Sequence, residues 1–298
     1  MKPVYLVGAT AVGKSAVALE LAERLGGEII SVDSMQVYRG LDIGSAKPAL
    51  EEQSRIRHHL IDVVDLTESF DAAKFVALAG GVVSDLQARG GRPIFCGGTG
   101  LYLTAWLDGL GEAPSSNPEL RAELEARPLA DLLNELEAND PQAFASIDRE
   151  NPRRVVRAVE VIRLTGKPFS EQRAEWKKGP RETVFCLQRE PEDLRNRIDE
   201  RVDAMFAAGL VEETRRLLEA GLEDNRFAMQ AIGYRQVVEH FNGERGLDET
   251  IQLIKTKTWQ FSRRQMTWFR NQLQAEMIRL AADERMDSIV GRVLERFG

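Results

Sequence analysis

Apolar residues fall in two rhythms along this chain. Short apolar runs, Val4-Tyr5-Leu6-Val7, Glu28-Ile29-Ile30-Ser31-Val32, Arg92-Pro93-Ile94-Phe95-Cys96 and Val184-Phe185-Cys186-Leu187-Gln188, predict buried strands. Leu60-Ile61-Asp62-Val63-Val64 predicts another, and Met277-Ile278-Arg279-Leu280 a short one. Between the early runs, apolar residues recur at three- and four-residue spacing, which predicts helices from about Lys14 to Leu25 and from Ala72 to Arg89. Strand–helix alternation implies a parallel sheet covered by helices. From Glu112 to about Pro180 the patterns are helical, broken by prolines, with no good strand; after Pro191 helices dominate. The expected fold class is α/β: a P-loop NTPase-like parallel sheet core over 1–111 and 181–298, flanked by helices, with a small all-helical insertion over 112–180.

Composition narrows the class. The 298 residues are 43% hydrophobic and 29% charged, which excludes disorder and low complexity. Two cysteines, Cys96 and Cys186, sit in apolar runs and read as buried reduced thiols, not as a disulfide framework or zinc site. His58, His59 and His240 have no ligand spacing. The chain runs from Met1-Lys2-Pro3 straight into a strand and a glycine loop, unlike a signal peptide, and no apolar run approaches membrane-spanning length. A cytoplasmic protein without membrane association is expected. The net charge of −7 argues against a protein coated in positive charge for nucleic acid. Its distribution is uneven, however. Residues 112–150 carry −7, residues 151–181 carry +6 and residues 251–272 carry +5, so two basic islands sit in an acidic chain.

The string Gly8-Ala9-Thr10-Ala11-Val12-Gly13-Lys14-Ser15 fits G-x-x-x-x-G-K-[ST], with a strand before it and a helix after it. Glycines let the backbone wrap a phosphate, several amides and a helix N-terminus face the anion, Lys14 adds a point charge, and the Ser15 hydroxyl can reach Mg²⁺. The motif specifies a di- or triphosphate group and not which one. Asp33-Ser34 ends the second strand and Gly97-Gly98-Thr99 ends another, so Asp33 and Thr99 are expected at one crevice beside the phosphates, where open α/β sheets gather ligands.

These strings continue in order along the chain. They include Ile30 to Tyr38 (Ile-Ser-Val-Asp-Ser-Met-Gln-Val-Tyr), Asp42-Ile43-Gly44-Ser45-Ala46-Lys47-Pro48, Gly97 to Tyr102, Asn151 to Glu160, Thr165 to Pro168, Ala231 to Gln236 and Arg263 to Arg270. Together they resemble the tRNA dimethylallyltransferases (tRNA isopentenyltransferases) of bacterial type, over nearly the whole chain. Ala9 and Val12 depart from the Pro and small polar residues usual in that family, without removing a loop amide.

The resemblance implies transfer of a dimethylallyl group from dimethylallyl diphosphate to the exocyclic N6 amine of adenosine at tRNA position 37, next to the anticodon, with Mg²⁺. It implies that the loop from Gly8 to Ser15 holds the leaving diphosphate, not ATP. It implies Asp33 as general base, Thr99 as the hydroxyl that positions the amine or the diphosphate from the opposite side, and Arg215, in Gly209-Leu210-Val211-Glu212-Glu213-Thr214-Arg215, as an arginine on the diphosphate. The tRNA side is implied for Asp33, Ser34, Met35, Gln36 and Thr99 at the pocket mouth. It is further implied for Arg121, Arg153, Arg154 and Arg157, for Gly233, Tyr234 and Arg235, and for Arg263, Arg264 and Arg270, the last set interleaved with Trp259, Trp268 and Phe269. Basic–aromatic mixtures of this kind grip phosphates and stack on bases. A monomer is expected. Prenylation of a free adenine nucleotide, a small-molecule P-loop kinase and a nucleotide-dependent RNA-binding switch remain as alternatives. The helical insertion and the Arg153–Arg157 string favour tRNA over a free nucleotide.

Overall fold

The computed structural model describes residues 1–174, 176 and 181–297, except for the side chains of 181–183. Lys177 and Lys178 of the first basic island and the expected border at Pro180 lie outside the described residues. The chain divides into two compact units, Met1–Ala105 with Lys178–Gly298, and Trp106–Lys177.

The first unit holds a six-stranded sheet. Its strands are β1 (Val4–Gly8), β2 (Gly27–Val32), β3 (His58–His59), β4 (Arg92–Gly97), β5 (Arg181–Arg189) and β6 (Ala275–Leu280), in the order β3-β2-β4-β1-β5-β6. Every pairing is parallel. Parallel sheets are covered on both faces, which explains why β1 is buried at every position and carries no polar alternation. One core joins Val4 and Leu6 of β1 to Val17 and Leu21 of the Lys14–Leu25 helix, and to Ile289 and Val293 of the Met286–Phe297 helix. The chain leaves β1 to build β2 and β3 on one side, and later β5 and β6 on the other. The end of β1 is therefore a topological switch point, where loops part and leave a crevice. The register Val7↔Gly97 and Val32↔Gly97 brings the ends of β1, β4 and β2 level at that crevice.

The strand expected over Leu60–Val64 does not form. Pairing with β2 stops after Ile29↔His58 and Ile30↔His59. Leu60 at φ 61° and Asp62 at φ 55° then turn the backbone into the left-handed region, which breaks an extended strand. Only Val64 regains a bridge, to Tyr38.

The second unit is helical: Pro118–Glu125, Leu129–Asn139, Pro141–Ser146, Pro152–Thr165 and Phe169–Gln172. Leu124, Leu132, Leu136, Val155 and Val159 form its own core. Prolines open three of these helices at the first position, where a missing N–H costs nothing. They punctuate the helices without breaking them.

Candidate active site

The loop after β1 is pinned from outside. Lys14 Nζ donates to the Ala9 carbonyl at 2.7 Å, Arg197 Nε to Ala11 at 2.9 Å and Arg189 Nε to Val12 at 3.0 Å. Three cations thus fix three loop carbonyls. The first amides of the Lys14–Leu25 helix have no intrahelical acceptor, and with the helix dipole they offer an anion site. Ala9 and Val12 are fully buried in the sheet core, so the two departures from the family pattern face away from any ligand. Of the predicted loop residues, Thr10, Lys14 and Ser15 line a cleft. Gly8, Ala9, Ala11, Val12 and Gly13 are not among its lining residues. Burial pushes the Lys14 ammonium down to about 8.

The opposite wall carries Ser31, Asp33 and Gln36. Asp33 Oδ1 accepts the N–H of Met35 at 2.8 Å and of Gln36 at 3.3 Å, in the manner of an Asx turn. That bond set orients the carboxylate and leaves Oδ2 for a ligand. Thr99 Oγ1 accepts the Ser34 N–H at 3.1 Å, so the loops after β2 and β4 are tied together beside Asp33. Gln36 donates to the Ala46 carbonyl at 3.1 Å and holds the 45–48 loop against the same wall. Ser34, Met35 and Thr99 stand at this rim, half-buried.

The structure places the expected arginine outside the cleft and another inside it. Arg215 is exposed, its Nη2 is 3.4 Å from Glu212 Oε1, and its guanidinium lies 4.9 Å over the Phe241 ring. It does not line the cleft. Arg201, on the Pro191–Ala207 helix, does. Burial lowers its pKa and the nearby Asp33 carboxylate opposes that shift. No ion pair or hydrogen bond ties this guanidinium to another described residue. A desolvated cation without a protein partner, next to a phosphate loop, is built for an anionic ligand. The signal was present in the sequence: Arg197 and Arg201 recur at four-residue spacing beside the apolar stripe Leu194, Ile198 and Val202, on the helix that follows β5.

The string Gly233-Tyr234-Arg235 is mostly structural. Gly233 and Tyr234 are buried. Tyr234 accepts the Gly44 N–H at 2.9 Å and donates to Glu213. Glu213 also accepts the Ile43 N–H at 2.9 Å. A buried carboxylate needs donors, and this network supplies them while fastening the Asp42–Lys47 loop. Burial, then Glu213, raises the Tyr234 phenol far above its ordinary range, so it stays a donor. Arg235 is exposed and pairs with Glu239 at 2.9 Å.

Arg263, Arg264 and Arg270 all point to solvent from the Leu247–Asn271 helix, whereas Phe269 is fully buried and Trp268 Nε1 donates to Thr104 Oγ1 at 3.3 Å. The aromatic part of this stretch packs and the basic part is free to meet a polyanion. In the helical unit the arginines divide again. Arg121 Nη2 and Arg157 Nη1 each lie 2.7 Å from Oε2 of Glu160, whose side chain is fully buried. Ser116 Oγ, at 2.7 Å, and the Asn117 N–H, at 2.9 Å, donate to Oε1. Burial works to raise the Glu160 pKa, but these donors and cations hold it below the usual carboxylate range. Arg153 and Arg154 are exposed.

Among the described residues no three His, Cys, Asp or Glu side chains cluster to hold a metal. The loop offers only hydroxyl oxygens, those of Thr10 and Ser15, as hard side-chain donors. Magnesium keeps several waters and binds largely through substrate phosphates, so this sparse oxygen set fits an ion that arrives with a diphosphate. No helix is long and apolar enough to cross a membrane.

The sequence profile of the IPP transferase family matches residues 36–272. The tRNA dimethylallyltransferase of Geobacter metallireducens is 46% identical over 98% of this chain and 96% of its own. The tRNA dimethylallyltransferase 1 of Trichlorobacter lovleyi is 47% identical over 91% of this chain and 92% of its own. Among solved structures, the full-length tRNA isopentenylpyrophosphate transferase of Bacillus halodurans matches with a TM-score of 0.72 and 38% identity, covering 99% of this chain and 96% of its own. A eukaryotic dimethylallyltransferase acting on tRNA matches with a TM-score of 0.78 and 27% identity, covering 98% of this chain and 77% of its own.

Proposed function

The chain belongs to the IPP transferase family, and on that premise we propose that it transfers the dimethylallyl group of dimethylallyl diphosphate to N6 of adenosine 37 in tRNA. The observation that carries this reading is the pairing, in one cleft, of an anion site (Thr10, Lys14, Ser15, Arg201) with an oriented carboxylate, Asp33. One end suits a leaving diphosphate and the other an incoming amine.

The chemistry follows from that layout. The N6 lone pair of adenine is delocalised into the ring, so the amine is a weak nucleophile until its proton has somewhere to go. Asp33 accepts that proton at Oδ2 as the N6–C1 bond forms, which contributes a factor of about 10²–10⁴. The allylic C1–O bond breaks and its electron pair leaves with the diphosphate. Lys14, Arg201 and the helix amides stabilise the charge that develops there. Thr99 fixes the loop that presents the base by accepting the Ser34 N–H. The Ser15 hydroxyl would hold a magnesium ion that arrives with the diphosphate, and that ion would supply further charge neutralisation. A base in an anticodon loop reaches the carboxylate only when it is turned out of its stack. Arg153, Arg154, Arg263, Arg264 and Arg270 are the exposed cations for the tRNA backbone.

The test is prenyl transfer itself. Protein, Mg²⁺ and labelled dimethylallyl diphosphate are incubated with unmodified tRNA carrying A-A-A at positions 36 to 38, or with AMP. Label in tRNA at adenosine 37 is expected, with little in AMP. Label in AMP alone assigns a free-nucleotide prenyltransferase, and no label in either overturns the reading.

A further inference from the structure

The Leu247–Asn271 helix sends a buried side chain into the cleft wall that the reaction above does not use. Gln265 is 7% exposed. Its Oε1 accepts the Thr10 N–H at 2.9 Å, and its Nε2 donates to the Gly98 carbonyl at 3.0 Å. One planar carboxamide therefore joins the loop after β1 to the loop after β4. The connection continues. Thr99, next to Gly98, accepts the Ser34 N–H, and Ser34 adjoins Asp33. A line of hydrogen bonds and peptide links thus runs from the diphosphate loop to the proton acceptor, with Gln265 as the tie between the loops after β1 and β4.

The space for this carboxamide is reserved. A Cβ at position 98 would collide with Gln265 Nε2, while its next neighbours, Gln265 Cδ at 3.4 Å and the Gly8 carbonyl at 3.8 Å, leave room. The chemistry is also specific. The site needs an acceptor and a donor on one flat group, which an amide provides. Glutamate would lose the donor and set a negative charge beside the leaving group. Alanine would leave the Thr10 N–H and the Gly98 carbonyl without partners in a buried wall.

We infer that Gln265 is a positioning residue for the transfer. It fixes the spacing between the diphosphate loop and the Asp33–Thr99 rim without touching either substrate. The inference rests on the prenyl-transfer reading. Displacement at C1 depends on the separation of departing oxygen and incoming amine, and a misplacement of about 1 Å costs roughly 10²-fold in rate. The effect belongs in kcat, because each substrate still meets its own intact rim.

The experiment compares Gln265→Ala, Gln265→Glu, Gly98→Ala and the double variant Gln265→Ala/Gly98→Ala with the wild type. It measures steady-state prenyl transfer, thermal midpoint, and amide exchange over residues 8–15. Gln265→Ala is expected to lower kcat about 10- to 100-fold with KM for tRNA within about twofold, and to speed exchange at Thr10. Gln265→Glu should be at least as slow. Gly98→Ala should lose a similar factor by ejecting the carboxamide, and the double variant should lose no more than the worse single one. A folded Gln265→Ala protein with kcat near wild type overturns the inference. So does a loss confined to KM, or fully additive losses in the double variant. If Gln265→Ala does not fold, Gly98→Ala decides the matter alone, normal kcat counting against. Wild type without transfer defeats the functional reading, whereas an active wild type with unaffected variants defeats only the role of Gln265.

Discussion

Lys14 and Arg201 both pay for their position with a depressed pKa, and both recover it when an anion arrives. For Lys14 the direction has a measurable consequence. Burial disfavours its charge and pushes the ammonium down to about 8, from an ordinary value of 10.5. The folded form therefore binds this proton more weakly than the unfolded chain. Lys14 costs stability below pH 8, and that cost is relieved as pH rises from about 8 toward 10.5. Ligand binding has the opposite sense. Inorganic pyrophosphate with Mg²⁺ at pH 8 should take up roughly half a proton, seen by calorimetry in buffers of different ionisation heat, and affinity should fall above that pH. Lys14→Arg should abolish the uptake. The same scale separates two arginines. Arg201→Ala should lower kcat about 10²- to 10³-fold, as removal of a donor aimed at developing charge does. Arg215→Ala, on an exposed helix face, should stay within about twofold. Equal losses in both would return Arg215 to the site.

At the level of elements, what the sequence disclosed and what it hid differ in kind. Buried parallel strands and the phosphate loop are local patterns, and β1, β2, β4 and β5 stand where the apolar runs predict. Leu60–Val64 has the same apolar look and fails, because two residues with positive φ turn it away from β2. Gln265 lies in the Leu247–Asn271 helix, whose local pattern gives no hint of the cleft, since only the tertiary fold brings position 265 against position 10. The Asn151–Glu160 string misleads in an instructive way. Its spacing puts Arg153 and Arg157 on one face, yet Arg157 turns inward to Glu160 with Arg121. That carboxylate contributes stability at neutral pH that is lost only as pH falls below its usual range, because its folded pKa is lowered. Glu160→Gln should leave two guanidiniums poorly compensated and destabilise the helical unit by about 2–4 kcal/mol, less than a fully dry pair because both arginines keep some solvent. The check is denaturant unfolding, and an unchanged midpoint would remove Glu160 from the scaffold.

For the whole molecule, the question is how a chain of net charge −7 binds a polyanion. Outside its two basic islands the chain carries −18, so attraction is confined to them and the remainder repels phosphate. Such a pattern favours a ligand that fits the islands over RNA at large. The structure refines which charges are available. Arg121 and Arg157 are committed to Glu160, whereas Arg154, Arg263, Arg264 and Arg270 are exposed. Each exposed arginine that meets a tRNA phosphate releases counterions, so its loss should lower the slope of log affinity against log salt by about 0.7–0.9. Arg154→Gln and Arg264→Gln should each flatten the slope by that step with the thermal midpoint unchanged. Arg157→Gln should instead lower the midpoint and shift the slope little. A full step in slope for Arg157→Gln with unchanged stability would mean that tRNA draws this guanidinium away from Glu160, and that the ion cluster is a resting arrangement of the free protein.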